Sequence, residues 1–173
     1  MSGFTEQKII AVEYLKDAMI FFSKAGIVLP KDAVINIYHH NGADRIRETG
    51  AVFINIVNRD YCKSYIVMLQ GQNYPCHYHK IKTESFYLLF GSLGVYIEEQ
   101  EYLLEPGEML HIERGQDHSF WTDTGAVFEE ISTMYMPNDS VYIEQNIRET
   151  RYAQRKTSIR MDEWKEISRK WKR

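Results

Sequence analysis

Apolar residues at Ile9, Val12, Leu15, Met19 and Phe22 recur at spacings of three and four. That period predicts a helix over residues 4–25 with one buried face. Thr5 fits its N-cap and Gly26 its C-terminal stop. Pro30 then favours a short second helix over residues 31–37. His39-His40-Asn41-Gly42 reads as a loop, with nothing nearby in sequence to complete a metal site. From Gly50 the period falls to two. Val52, Ile54 and Ile56 alternate with Phe53, Asn55 and Val57, which predicts a strand. Asn58-Arg59-Asp60 is a turn signal, and residues 61–70, rich in Tyr, Ile and Val, form a second strand. More strands are expected through His77, after Glu84, and over residues 93–98, 102–104, 109–112, 119–122 and 126–135. Many short strands punctuated by Gly and Pro point to a mainly β barrel or sandwich. After Pro137-Asn138-Asp139 comes a short extended piece, residues 141–143. A helix over residues 158–171 would then place Met161, Trp164, Ile167 and Trp171 on one face. Trp164 and Trp171 are read as anchors on the barrel or on a second subunit.

The chain has 173 residues, 44% of them hydrophobic, which suits one domain over 1–173 with a substantial core. It divides into an N-terminal helical segment (1–49), a barrel (50–147) and a C-terminal helical tail (148–173). The net charge of −3 makes no case for a nucleic-acid partner. It hides an asymmetry: residues 148–173 hold ten Lys/Arg against four Asp/Glu. The excess is read as a solvated helix face. Cys62 and Cys76 form no C-x-x-C pair, so both are expected to be free thiols of a reducing compartment. Glu6, Lys8, Glu13, Lys16 and Asp17 interrupt any signal-peptide pattern. No apolar run reaches the ~18 residues of a membrane span. A cytoplasmic protein with no membrane partner is expected.

The chemistry gathers in one stretch. His77 and His79 are two apart, so on a strand they share a face, with Cys76 turned away. Residues 80–83 read as a turn, and Glu84 opens an apolar run expected to return antiparallel to the histidine strand. Two imidazoles and a carboxylate with open coordination positions suit Mn²⁺, Fe²⁺, Zn²⁺ or Ni²⁺. His118, in a second glycine-punctuated stretch, supplies a fourth ligand. Such an ion can act as a Lewis acid, or bind O₂ if it is iron. Lys82 sits in the turn between the ligand strands, where a cation nearby would favour its neutral form. Glu129 and Glu130 lie mid-strand, so alternation aims one of them into the barrel, where a carboxylate is expensive unless paired or working. Phe86 and Leu88 share the face of Glu84 as candidate pocket walls, and His111 is a minor substrate-binding candidate.

The spacing G-x5-H-x-H-x4-E-x6-G, from Gly71 to Gly91, resembles the first motif of the cupins throughout. Gly107, Gly115 and His118 fit their second motif; Glu113 stands where Pro is usual and Thr122 where Asn is usual. The resemblance implies a double-stranded β-helix (jelly-roll) barrel whose metal is held by His77, His79, Glu84 and His118. Lys24-Ala25-Gly26-Ile27-Val28-Leu29, Asn58-Arg59-Asp60-Tyr61-Cys62, Lys82-Thr83-Glu84-Ser85-Phe86 and Glu130-Ile131-Ser132-Thr133 are similar to segments of cupin-type D-lyxose isomerases. That family implies active-site roles for Lys82 and Glu130; an isomerisation needs no redox change, which makes Mn²⁺ the first choice of metal, and the resemblance to cupins implies a homodimer. The implied reaction interconverts an aldose and a ketose sugar through a metal-stabilised cis-enediolate. The family's longer insertion between the second histidine and the glutamate is reduced here to Lys80-Ile81-Lys82-Thr83. This short form resembles cupin modules associated with sialic-acid-synthase-like proteins. The alternatives are a non-catalytic sugar- or nucleotide-sugar-binding cupin of a surface-glycan pathway, and an Fe-dependent dioxygenase.

Overall fold

A computed structural model describes residues 5–134, 136 and 138–171. The chain runs through α1 (Glu6–Ser23), β1 (Val34–Tyr38), α2 (Ile46–Thr49), β2 (Ala51–Asn58), β3 (Tyr61–Met68), β4 (Asn73–His79), β5 (Glu84–Gly91) and β6 (Leu93–Ile97). It continues through β7 (Gln100–Leu104), β8 (Met109–Ile112), β9 (His118–Trp121), β10 (Ala126–Thr133), β11 (Ser140–Tyr142) and α3 (Gln145–Glu149). A 3₁₀ turn (Tyr152–Gln154), β12 (Lys156–Arg160) and α4 (Met161–Trp171) complete it. Two sheets face each other: a seven-stranded one ordered β12-β1-β2-β3-β10-β5-β8, and a five-stranded one ordered β11-β4-β9-β6-β7. All their pairings are antiparallel, as in a jelly roll.

The larger sheet has two buried faces, so alternation divides its side chains between two cores. Ile35, Ile37, Val52, Ile54, Val67 and Val127 pack outward against α1 and α4, meeting Leu15 and Trp164. Tyr38, Ile66, Phe86, Leu88 and Phe128 point the other way, onto Tyr74, Val95 and Phe120 of the smaller sheet. Helix α1 is capped as expected, with Thr5 Oγ1 accepting the Lys8 N–H at 3.3 Å. The expected start at Phe4 lies outside the described residues. Gln72 ties α1 to the barrel: its Oε1 accepts from Tyr14 Oη at 2.8 Å and its Nε2 donates to the Ile46 carbonyl at 2.7 Å.

Three expectations need correction. The helix expected over residues 31–37 is the strand β1. Pro30 starts only a turn, and the β-branched alternation of Val34-Ile35-Asn36-Ile37 pairs with β2. The helix expected from Ser158 begins at Met161, because Thr157, Ser158 and Ile159 pair with Ile37, Asn36 and Ile35 of β1. Both terminal segments therefore add strands to the larger sheet. Third, β5 does not pair with β4. The chain changes sheets between His79 and Glu84, so β4 pairs with β9 and β11, while β5 pairs with β10 and β8. Met161, Trp164 and Ile167 of α4 pack into the outer core as a shared face; the side chain of Trp171 lies outside the described residues. Neither Cys62 nor Cys76 forms a disulfide among the described residues. Among the described residues no helix is long and apolar enough to cross a membrane.

Candidate metal centre

Strand β4 presents His77 and His79 on its buried face while Cys76 and Tyr78 alternate to the other side. Across the ladder His118 of β9 sits opposite His77, with ring centroids 4.3 Å apart. Glu84, the first residue of β5, reaches in from the opposing sheet. The sheet change between His79 and Glu84 is thus what turns a short sequence spacing into ligands arriving from two directions. One ligand atom from each of the four residues lies within 4.8 Å of the others.

The imidazoles are oriented from behind. His77 Nδ1 lies 3.0 Å from the Pro75 carbonyl and His118 Nδ1 lies 3.0 Å from the Gln116 carbonyl. An N–H donated there leaves each Nε2 lone pair facing the cluster. His79 Nδ1 is 3.3 Å from Ser140 Oγ and 3.5 Å from Asp139 Oδ2. Burial, aided by His118 and His79, pushes His77 well below the usual imidazole range, so it is a neutral lone-pair donor. Burial opposes ionisation of Glu84, but the Lys82 ammonium and the imidazoles outweigh it and hold the carboxyl well below its usual range. Glu84 Oε1 lies 2.9 Å from His118 Nε2 and 3.4 Å from His79 Nε2. None of these three buried atoms has a partner in hydrogen-bond geometry. Buried lone pairs turned toward one another call for a cation between them. The donor set therefore fits a divalent metal.

Beside the cluster lies a second charged group. Lys82 Nζ sits 2.6 Å from Glu84 Oε2 and 2.8 Å from Glu130 Oε1, and Ser132 Oγ donates to the same Glu130 oxygen at 3.2 Å. Of the adjacent pair on β10, Glu130 points inward, while Glu129 pairs with Lys63 at 2.8 Å. Burial works against a charged Lys82, yet Glu130 and Glu84 prevail and raise its pKa. The turn carrying Lys82 is held by Asp139, whose carboxylate accepts the Ile81 and Lys82 N–H groups at 2.9 and 3.1 Å.

His77, His79, Glu84, Lys82 and Glu130 line one cavity of about 290 Å³ between the sheets. Phe86 lines it, whereas Leu88 packs in the barrel core. His111 does not reach it. That residue is exposed on β8 and shares a hydrogen bond of 2.8 Å with Ser85 Oγ on the outer surface. His40, by contrast, lies in the wall, 2.8 Å from Tyr74 Oη and 3.1 Å from Tyr142 Oη. Burial, with Arg155 and His39 adding, pushes it down to about 3, so it is neutral. His40, Tyr142 and Asp139 come from segments that sequence spacing alone does not connect to the metal ligands.

Residues 64–134 match the family described as Cupin domain. Over 55 residues, 32% of this chain, the sequence is 36% identical to quercetin 2,3-dioxygenase of Bacillus subtilis (strain 168). That stretch covers only 16% of the dioxygenase. Among solved structures, L-ribose isomerase of Cellulomonas parahominis superposes with a TM-score of 0.69 at 14% identity, covering 82% of this chain and 94% of that one. L-ribose isomerase of Geodermatophilus obscurus gives 0.65 at 16% identity, covering 80% and 92%. At such identities the likeness establishes the fold.

Proposed function

The chain belongs to the cupin superfamily, and from that premise we propose that it is a metal-dependent aldose–ketose isomerase. The observation that carries this reading is the Glu130–Lys82 pair set directly against the His77/His79/Glu84/His118 cluster inside one cavity. A divalent ion held by those four residues, Mn²⁺ being the first choice, would supply Lewis acidity toward adjacent carbonyl and hydroxyl oxygens of an open-chain sugar. Glu130 is then the base that takes the proton from the carbon next to the carbonyl and returns it to the former carbonyl carbon, while the hydroxyl proton of the deprotonated carbon passes to the former carbonyl oxygen. Lys82 holds Glu130 in place and offers an N–H donor where negative charge develops on oxygen. Phe86 and the aromatic wall exclude water from the transfer. No electrons change hands, so no redox partner is needed.

Two lines support a sugar of the D-lyxose or related aldose class: the four segments that resemble D-lyxose isomerases, and the fold shared with two L-ribose isomerases. The test is ketose formation by metal-stripped protein after Mn²⁺ is restored. D-lyxose, L-ribose, D-mannose and terminally phosphorylated aldoses would be followed by chromatography under nitrogen. Metal-dependent turnover is expected, and Glu130→Gln should abolish it while binding as much metal as wild type. Metal-loaded protein that converts none of them would be a sugar-binding cupin instead. The dioxygenase relative gives a second reading; turnover that requires Fe²⁺ and O₂ would favour it.

A further inference from the structure

Two of the cations in the basic tail are not on a solvated helix face. Arg155 and Lys156 line the same cavity as the metal cluster, from the wall built by β12 and the 3₁₀ turn before it. Both are partly buried. Arg155 donates its Nε–H to the Thr150 carbonyl at 2.8 Å and lies over the Tyr142 ring at 5.4 Å. That ring stacks on His77, centroid to centroid 5.1 Å. The guanidinium is therefore one aromatic ring away from a metal ligand. Lys156 donates to Tyr152 Oη at 2.6 Å and lies 4.4 Å from that ring's centroid. The acidic side chains among the described residues of the lining are Glu84 and Glu130, and both are engaged by Lys82. The Arg155–Lys156 wall thus carries positive charge into the cavity with no carboxylate of the lining set against it.

We propose that Arg155 and Lys156 form an anion subsite for the sugar, so that the substrate bears a phosphate or carboxylate at the end remote from its carbonyl. This rests on the isomerase reading, which puts the carbonyl end at the metal cluster. A neutral aldose gives two half-desolvated cations nothing to pair with. An oxyanion accepts charge-assisted bonds from both, and an arginine fork matches its geometry. The cavity's low-dielectric aromatic wall strengthens that attraction and focuses it on the site.

The probes are D-mannose, D-mannose 6-phosphate and D-mannuronate, each titrated calorimetrically into Mn²⁺-loaded protein. One anionic derivative should bind roughly 10- to 100-fold more tightly than D-mannose. The preference should shrink in 0.5 M salt, and fall to within about threefold in Arg155→Gln and in Lys156→Gln combined with it. Which derivative is preferred assigns the group as phosphate or carboxylate. Equal affinity for all three overturns the proposal, as does a preference that survives in the double variant. Arg155-dependent binding of D-mannose 6-phosphate without ketose formation would keep the anion subsite and remove the isomerase. Ketose formation from D-mannose with no preference for its anionic derivatives would do the reverse. A purely structural role for Arg155 would weaken all three sugars together and leave their ratio unmoved.

Discussion

Lys82 is the residue on which the site's electrostatics turn. Its ammonium is buried and touches both Glu84 and Glu130. Removing one partner from a buried ion pair leaves the other charge uncompensated, which typically costs about 3–5 kcal/mol. Here two carboxylates would be left. A bound divalent ion supplies replacement charge to Glu84, which directly faces it, but not to Glu130. Lys82→Met should therefore destabilise the metal-free protein by about 3 kcal/mol or more, and the metal-loaded protein by clearly less. Urea unfolding with EDTA and with excess Mn²⁺ measures both. Equal losses in the two conditions would mean that Lys82 is not the counter-charge of Glu84. At this scale the sequence was informative where ligands are close neighbours. His77, His79 and Glu84 are bounded by one strand and one turn, and inward alternation narrowed the β10 base to Glu129 or Glu130. His40 and Asp139 were not legible, because only pairing between distant segments brings them in: His40 meets Tyr142 across 102 residues and Asp139 meets Lys82 across 57.

Strands were read well where local pattern and tertiary demand agree. Residues 109–112 coincide with β8, 61–70 need only trimming to β3, and β10 follows the expected 126–135 as far as Thr133, Tyr135 lying outside the described residues. The misread elements are the two that pair with each other. β1 and β12 join into one antiparallel ladder, Val34 with Arg160 through Tyr38 with Lys156. Neither segment's helix-like signals, Pro30 in one and the stripe from Met161 in the other, outweigh the backbone bonds they exchange. That ladder also carries Lys156 into the cavity, so the misread element is the one that brings the unanticipated cation. Glycine at the end of β5 shows the opposite case, in which a motif position has an immediate backbone reason. Gly91 has φ +86° and faces Ala126 in the ladder, and a Cβ there would collide with the Gly125 carbonyl. Backbone on both sides leaves little room to yield. Gly91→Ala should cost about 2 kcal/mol or more, lowering the urea midpoint with an unchanged slope. A midpoint within error of wild type would show that the β5–β10 corner can relax.

At the scale of the molecule, the metal cluster joins the two sheets. Three ligands come from the five-stranded sheet and Glu84 from the seven-stranded one, whose far face is already fastened to α1 and α4. Without an ion the buried Glu84 Oε1, His79 Nε2 and His118 Nε2 face one another with no hydrogen-bond partner. Each such group costs about 1–3 kcal/mol. An ion bound only by the folded state adds about 2.7 kcal/mol at a hundred times its Kd. For a chain of this size that corresponds to a rise in Tm of roughly 5–10 °C. Calorimetry after EDTA treatment, then with Mn²⁺, Zn²⁺, Ni²⁺ or anaerobic Fe²⁺ restored, should show that rise for at least one of them, with the largest identifying the preferred ion. The rise should vanish in His118→Ala, which leaves Glu84 facing an incomplete set from the opposite sheet. If no ion raises Tm in the wild-type protein, the four side chains are not a metal centre. The proposed chemistry would then lose its Lewis acid while Glu130, Lys82 and the Arg155–Lys156 wall still line a cavity suited to an anionic sugar.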